Sequence, residues 1–150
     1  MIRIITFGEF KDKASKAIAD DFLKRINKYH KTEIITLKEE TKKTIKENLA
    51  IERKMIEKHL CKGYVIALDK EGTQHDSMAF SEVINKCLNH HANICFIVGS
   101  SNGLDPELKK NSNAIISFSK MTFPHLIFRV MLLEQVYRGF KILNNERYHK

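Results

Sequence analysis

No stretch of the 150 residues approaches the ~20 consecutive apolar positions that a membrane-spanning helix needs, so no span is expected. Cysteine is scarce. Cys61, Cys87 and Cys95 are odd in number and far apart with no C-x-x-C pair, which argues against a disulfide framework and for a reducing, cytoplasmic setting. Metal chemistry has little to stand on either: His59-x-Cys61 and the pair His90-His91 each lack two further ligands at a sensible spacing. Neither a G-x-G-x-x-G after a strand nor a G-x-x-x-x-G-K-[ST] occurs, which weakens a nicotinamide dehydrogenase or a nucleotide triphosphatase. There is no internal repeat, low-complexity tract or linker, so residues 1–150 are expected to form one domain. The opening run Met1-Ile2-Arg3-Ile4-Ile5-Thr6-Phe7-Gly8 carries a charge and no small-residue cleavage site, and reads as a first strand rather than a signal peptide.

What is present is ordinary globular composition, 43% hydrophobic and 29% charged, with a formal net charge of +8. The charge is uneven. Residues 1–62 hold sixteen basic side chains against ten acidic ones, and residues 120–150 hold Lys120, Arg129, Arg138, Lys141, Arg147 and Lys150 against Glu134 and Glu146. Two basic regions thus flank a nearly neutral middle, a distribution that suits a polyanion such as RNA and equally suits a lysine-rich soluble protein. The lysines and arginine of the first helix, Lys11, Lys13, Lys16, Lys24, Arg25 and Lys28, are open to both readings.

Hydrophobic period and punctuation predict alternating strands and helices. Strands are expected at Arg3–Phe7, Glu33–Leu37, Tyr64–Leu68, Ile94–Val98 and Ala114–Phe118. Between them lie helices over Lys13–His30, with Ile18, Phe22, Ile26 and Tyr29 on one face, and over Lys42–Cys61, with Ile45, Leu49, Ile56 and Leu60 on one face. Further helices are expected over Ser77–Leu88, near Pro106–Lys110, and from His125 to about Gly139. Tyr64–Leu68 and Ile94–Val98 are apolar without interruption, as in central parallel strands covered on both faces. The fold class is therefore α/β with a mainly parallel sheet, its strand order unreadable from pattern.

Open α/β sheets bind ligands beyond the carboxyl ends of their strands. Three exit loops fall there: Asp69-Lys70-Glu71-Gly72, Gly99-Ser100-Ser101-Asn102-Gly103, and Ser119-Lys120-Met121-Thr122-Phe123-Pro124. Two carry glycine, which lets backbone approach a ligand, and the third ends in a proline that fixes the chain before a helix.

These loops, with Phe96-Ile97-Val98 before the second, Leu104 after it, Ser117-Phe118 before the third, and Arg129…Glu134-Gln135-Val136-Tyr137-Arg138 and Tyr148-His149-Lys150 beyond, form an ordered set. The set resembles the large-subunit ribosomal RNA pseudouridine N3-methyltransferases of the SPOUT superfamily, over the whole length and to the last residues. The resemblance implies a C-terminal trefoil knot, S-adenosylmethionine as cofactor, an obligate homodimer, and ribosomal RNA as substrate in the context of the ribosome. Carried over residue by residue, Leu68 lines the adenosine pocket; Gly99, Ser100, Gly103 and Leu104 form a second wall; Ser119, Lys120, Met121, Thr122, Phe123 and Pro124 form a third. Family members usually carry two glycines where this chain has Gly99-Ser100, and a negative φ at Ser100 would keep its amide facing the cofactor.

Methyl transfer to the N3 imide of pseudouridine needs the imide proton removed and its anion stabilised, for which Arg129, Arg138 and His149 are candidates. The resemblance puts Tyr148 and His149 at the partner subunit's cofactor site, with Tyr148 able to stack on a base. Glu134 is expected to pair with Arg138, four residues on, and His125 to cap or pack the last helix. Two other readings share the fold: methylation of another RNA such as tRNA, and a catalytically silent ribosome-associated RNA-binding module.

Overall fold

In the computed structural model, which describes residues 1–148, five strands form one sheet with every pairing parallel. The elements are β1 (Ile2–Phe7), α1 (Lys13–Ile26), β2 (Thr32–Leu37), α2 (Ile45–Glu57), β3 (Tyr64–Gln74), α3 (Ser77–His90), β4 (Ile94–Val98), α4 (Pro106–Asn111), β5 (Ala114–Ser117) and α5 (His125–Leu143). Their order across the sheet is β2-β1-β4-β3-β5. The α/β class with a parallel sheet is as the sequence predicts. No helix among the described residues is long and apolar enough to cross a membrane.

Successive side chains of a strand point to opposite faces, and both faces here are covered. Ile2, Ile4, Ile66, Leu68, Phe96 and Val98 pack under α1, α3 and α5 with Ile26, Phe80, Ile84, Leu132, Leu133 and Phe140. Ile5, Phe7, Ala67, Cys95 and Ile97 face the other way, toward Ile56 of α2 and Leu108 of α4. Each fully buried isoleucine or phenylalanine contributes about 1.5–3 kcal/mol, which explains why the uninterrupted apolar run of β4 lies inside the sheet and not at its edge.

Helix ends depart from the periodic reading where a polar side chain intervenes. The first helix stops at Ile26, not His30. Asn27 ends it: its Nδ2 donates to the Leu23 and Thr32 carbonyls at 2.9 and 3.0 Å, and its Oδ1 accepts from Thr32 N at 2.9 Å. The second helix starts at Ile45, not Lys42, because Thr44 and Glu47 form a reciprocal capping box and Asn48 holds the main chain of Lys43 outside the helix. It ends at Glu57 rather than Cys61, and the carbonyl of His59 just beyond accepts from Arg3 Nη1 at 2.6 Å.

The buried faces also differ from expectation. Ile18 is 49% exposed, because the inward stripe of α1 runs through Ala19, Phe22 and Ile26. Ile45 is 61% exposed in the first turn of α2, whose buried positions are Asn48, Glu52 and Ile56.

Asp69–Gly72 is not an open loop, as the sequence reading has it. The strand β3 runs on to Gln74, and its pairing with β5 shifts so that both Leu68 and Thr73 lie opposite Ile116. The four residues between them bulge out of the ladder. Lys109 of α4 pins the bulge by bridging Asp69 and Glu71, each at 3.2 Å.

Candidate active site

Parallel pairing brings the carboxyl ends of β4 and β5 beside the bulge of β3, and a cavity of about 620 Å³ opens there. That volume suits a nucleoside-sized ligand. Its first wall is Leu68, Asp69 and Lys70, its second Gly99 to Gly103, and its third Ser119 with Met121 to His125. Phe118 and Phe128 form its floor with Val98; the ring of Phe118 stands edge-on to Phe80 at 5.4 Å and tilts against Phe128 at 5.1 Å.

The second wall depends on its glycines. A Cβ at position 99 would lie 2.5 Å from the Gly103 carbonyl oxygen, so only glycine lets the turn close. Gly103 has φ +86°, and its amide donates to the Ser100 carbonyl at 3.0 Å. Ser100 does not have a positive φ, so serine is tolerated there without backbone strain. The third wall is held by two local hydroxyl bonds: Ser117 Oγ donates to the Ser119 carbonyl at 3.0 Å, and Ser119 Oγ accepts from Met121 N at 3.0 Å. Met121 itself is 71% exposed.

Of the residues assigned to a cofactor from sequence, Leu68, Gly99, Ser100, Gly103, Ser119, Met121, Thr122, Phe123 and Pro124 line this one cavity. Leu104 and Lys120 do not. Leu104 turns inward to the core under α2, and Lys120 is exposed. Asp69, Lys70, Val98, Ser101, Asn102, Phe118, His125 and Phe128 complete the lining. Most of these eight sit inside the same strand-exit segments; Phe128 is one helical turn past His125, a spacing that could have flagged it. His125 packs against the first strand's end, since a Cβ on Gly8 would come within 3.0 Å of its Nε2. No side chain caps α5.

Arg129, Arg138 and Tyr148, assigned to catalysis or to the substrate, are absent from the cavity lining. Arg129 is 1% exposed; its Nη2 donates to the carbonyls of Phe7, at 3.0 Å, and of Gly8, and its guanidinium sits 4.3 Å over the ring of Phe10. Burial pushes its pKa down, opposed by Glu9. This side chain fastens the end of β1 to α5.

Tyr148 donates to Glu134 Oε1 at 3.1 Å, meets Tyr137 edge-on at 4.9 Å, and lies 4.7 Å under the Arg138 guanidinium. Burial first, then the Glu134 carboxylate, raises its phenol pKa. Arg138 and Glu134 form the expected ion pair. His149 lies outside the described residues. Among the described residues no cluster of three or more His, Cys, Asp or Glu side chains could hold a metal.

Residues 1–149 match the family described as predicted SPOUT methyltransferases. The chain is 40% identical to the ribosomal RNA large subunit methyltransferase H of Caldicellulosiruptor saccharolyticus, over the full length of both. It is 45% identical to the protein of the same name from Clostridium botulinum strain Hall, over 99% of each. A solved structure of a probable methylase family protein from Haemophilus influenzae superposes with a TM-score of 0.57 at 11% identity, covering 96% of this chain and 66% of that one, a likeness of fold alone. With the parallel sheet, the glycine-closed turn and the full-length match together, the chain belongs to the SPOUT methyltransferase family.

Proposed function

We propose that this protein methylates N3 of a pseudouridine in large-subunit ribosomal RNA, drawing the methyl group from S-adenosylmethionine held in the three-walled cavity. The observation that carries this reading is the convergence of the β4 and β5 exits and the β3 bulge on one cavity, in a chain whose full-length relatives are named for large-subunit ribosomal RNA methylation. The lining fits the cofactor in kind. Leu68, Val98, Phe118 and Phe128 offer apolar surface to a flat heterocycle, and the Gly99–Gly103 turn brings backbone close where a Cβ would block it. When bound, S-adenosylmethionine supplies an electrophilic methyl group on a sulfonium. The protein's own task is positioning, exclusion of water, and stabilisation of the imide anion.

The assembly proposed is a homodimer in which each tail serves the other subunit's cavity. It is supported by the position of Tyr148, which is absent from the lining of its own subunit's cavity. In that arrangement His149 and Tyr148 meet the substrate base, and Arg129 holds β1 to α5. The knotted threading that the resemblance implies belongs to the same proposal. Titration calorimetry tests the cofactor assignment: S-adenosylhomocysteine should bind once per chain, and absence of heat at concentrations well above those of cellular cofactor would refute the methyltransferase reading.

A further inference from the structure

The second wall of the cavity is braced from the opposite helix layer. Glu52, in the middle of α2, is 2% exposed and has no ion pair among the described residues. A buried carboxylate without a cation costs several kcal/mol unless donors satisfy it. Here two donors do: Oε1 accepts from Glu40 N at 3.0 Å, and Oε2 accepts from Ser100 Oγ at 2.8 Å. The same Ser100 oxygen accepts a longer bond from Asn102 N at 3.4 Å, and the Ser100 carbonyl accepts from Gly103 N. One chain of hydrogen bonds therefore runs from α2 into the turn that faces the cavity. Next to it, Glu39 Oε1 accepts from both the amide and the hydroxyl of Ser101.

Glycine at position 100 would form the same wall without a handle. It would also leave Glu52 Oε2 buried and unpaired, so Ser100 and Glu52 make sense only together. We propose that Glu52 is a positioning residue of the cofactor cavity: through the Ser100 hydroxyl it fixes the Gly99–Gly103 turn in the shape a bound cofactor meets, while touching neither cofactor nor substrate. This rests on the reading of the cavity as the S-adenosylmethionine site.

The test is a double-substitution cycle on the full chain, with S-adenosylhomocysteine as the titrated probe. Ser100→Gly and Glu52→Leu should each weaken binding about 5- to 20-fold, the scale of one lost buried hydrogen bond, and the double variant should be no weaker than the weaker single. Glu52→Gln should recover most of the loss, since its carbonyl can accept from Glu40 N and its amide can donate to Ser100 Oγ. A residue that served the fold alone would lower the melting midpoint without this coupled pattern in affinity. Unchanged affinity in the folded variants, or losses that simply multiply in the double, overturns the proposal and leaves the cofactor site standing. Failure of the wild-type chain to bind overturns both. Where Glu52→Leu does not fold, Ser100→Ala decides, because it removes only the hydroxyl: unchanged binding refutes the proposal and a weakened one upholds it.

Discussion

The second and third walls of the cavity are both strand exits that lead into helices, yet they are held in different ways. The Gly99–Gly103 turn is clamped by contacts with no slack: backbone against backbone at Gly99, and buried carboxylate against hydroxyl at Ser100. The Ser119–Pro124 segment rests on two hydroxyl bonds at its start and on the Phe118 and Phe128 rings, and it leaves Met121 in solvent. A methyl-transfer site needs both kinds of wall. One fixes the reactive group in line, and the other can adapt when substrate closes over it.

The largest effect should come from breaking the tight wall. Gly99→Ala pushes a methyl group into the Gly103 carbonyl, and overpacking against backbone of that order should weaken S-adenosylhomocysteine binding about 10- to 100-fold in calorimetry. Binding within twofold of wild type would show that the turn is looser than its geometry implies. Tyr148→Ala touches neither wall. Its affinity for the same probe should stay within about twofold while methylation of ribosomal RNA falls at least about tenfold, as expected for lost substrate positioning. Equal loss of both would make the tail a structural part of the cofactor site.

The buried brace also gives the tight wall a pH signature. Burial holds the Glu52 carboxyl above its ordinary value, with Glu39 and Glu40 adding to the effect against the two hydrogen bonds. The folded chain therefore binds this proton more readily than the unfolded chain. Stability contributed at this site falls as pH rises from the unfolded value through the folded one, and the loss is complete above it. Asp12, Glu40, Glu47 and Glu146 are shifted down and act in the opposite direction, so the measurement is a difference. Urea melts of wild type and Glu52→Gln across mildly acidic to neutral pH should show the variant gaining relative to wild type as pH rises; a constant difference would contradict the assignment. The smallest effect belongs to the adaptable wall: Met121→Ala should change stability by less than about 0.5 kcal/mol, measurable in the same melts.

Much of this architecture is legible in the residues. Tyr64–Leu68 and Ile94–Val98 are apolar throughout because both sheet faces are covered, and their exits mark the cavity edge. Where tertiary bonds override local pattern, legibility stops. Asn27 ends α1 by reaching Thr32, and the bulge at Asp69–Gly72 depends on pairing with a strand some forty residues later and on Lys109. Position 52 falls on the helical stripe through Leu49 and Ile56, but the partner of its carboxylate, Ser100, is far off in sequence and comes beside it only in the fold. The apolar surroundings of Arg129 are plain in the sequence, but its partners, the carbonyls of Phe7 and Gly8, lie more than a hundred residues away.

The most direct test of the central claim is mass mapping of large-subunit ribosomal RNA from cells lacking this protein. The account predicts that one N3-methylpseudouridine disappears, returns with the wild-type chain, and does not return with Gly99→Ala. A methylation map unchanged by the deletion would contradict it.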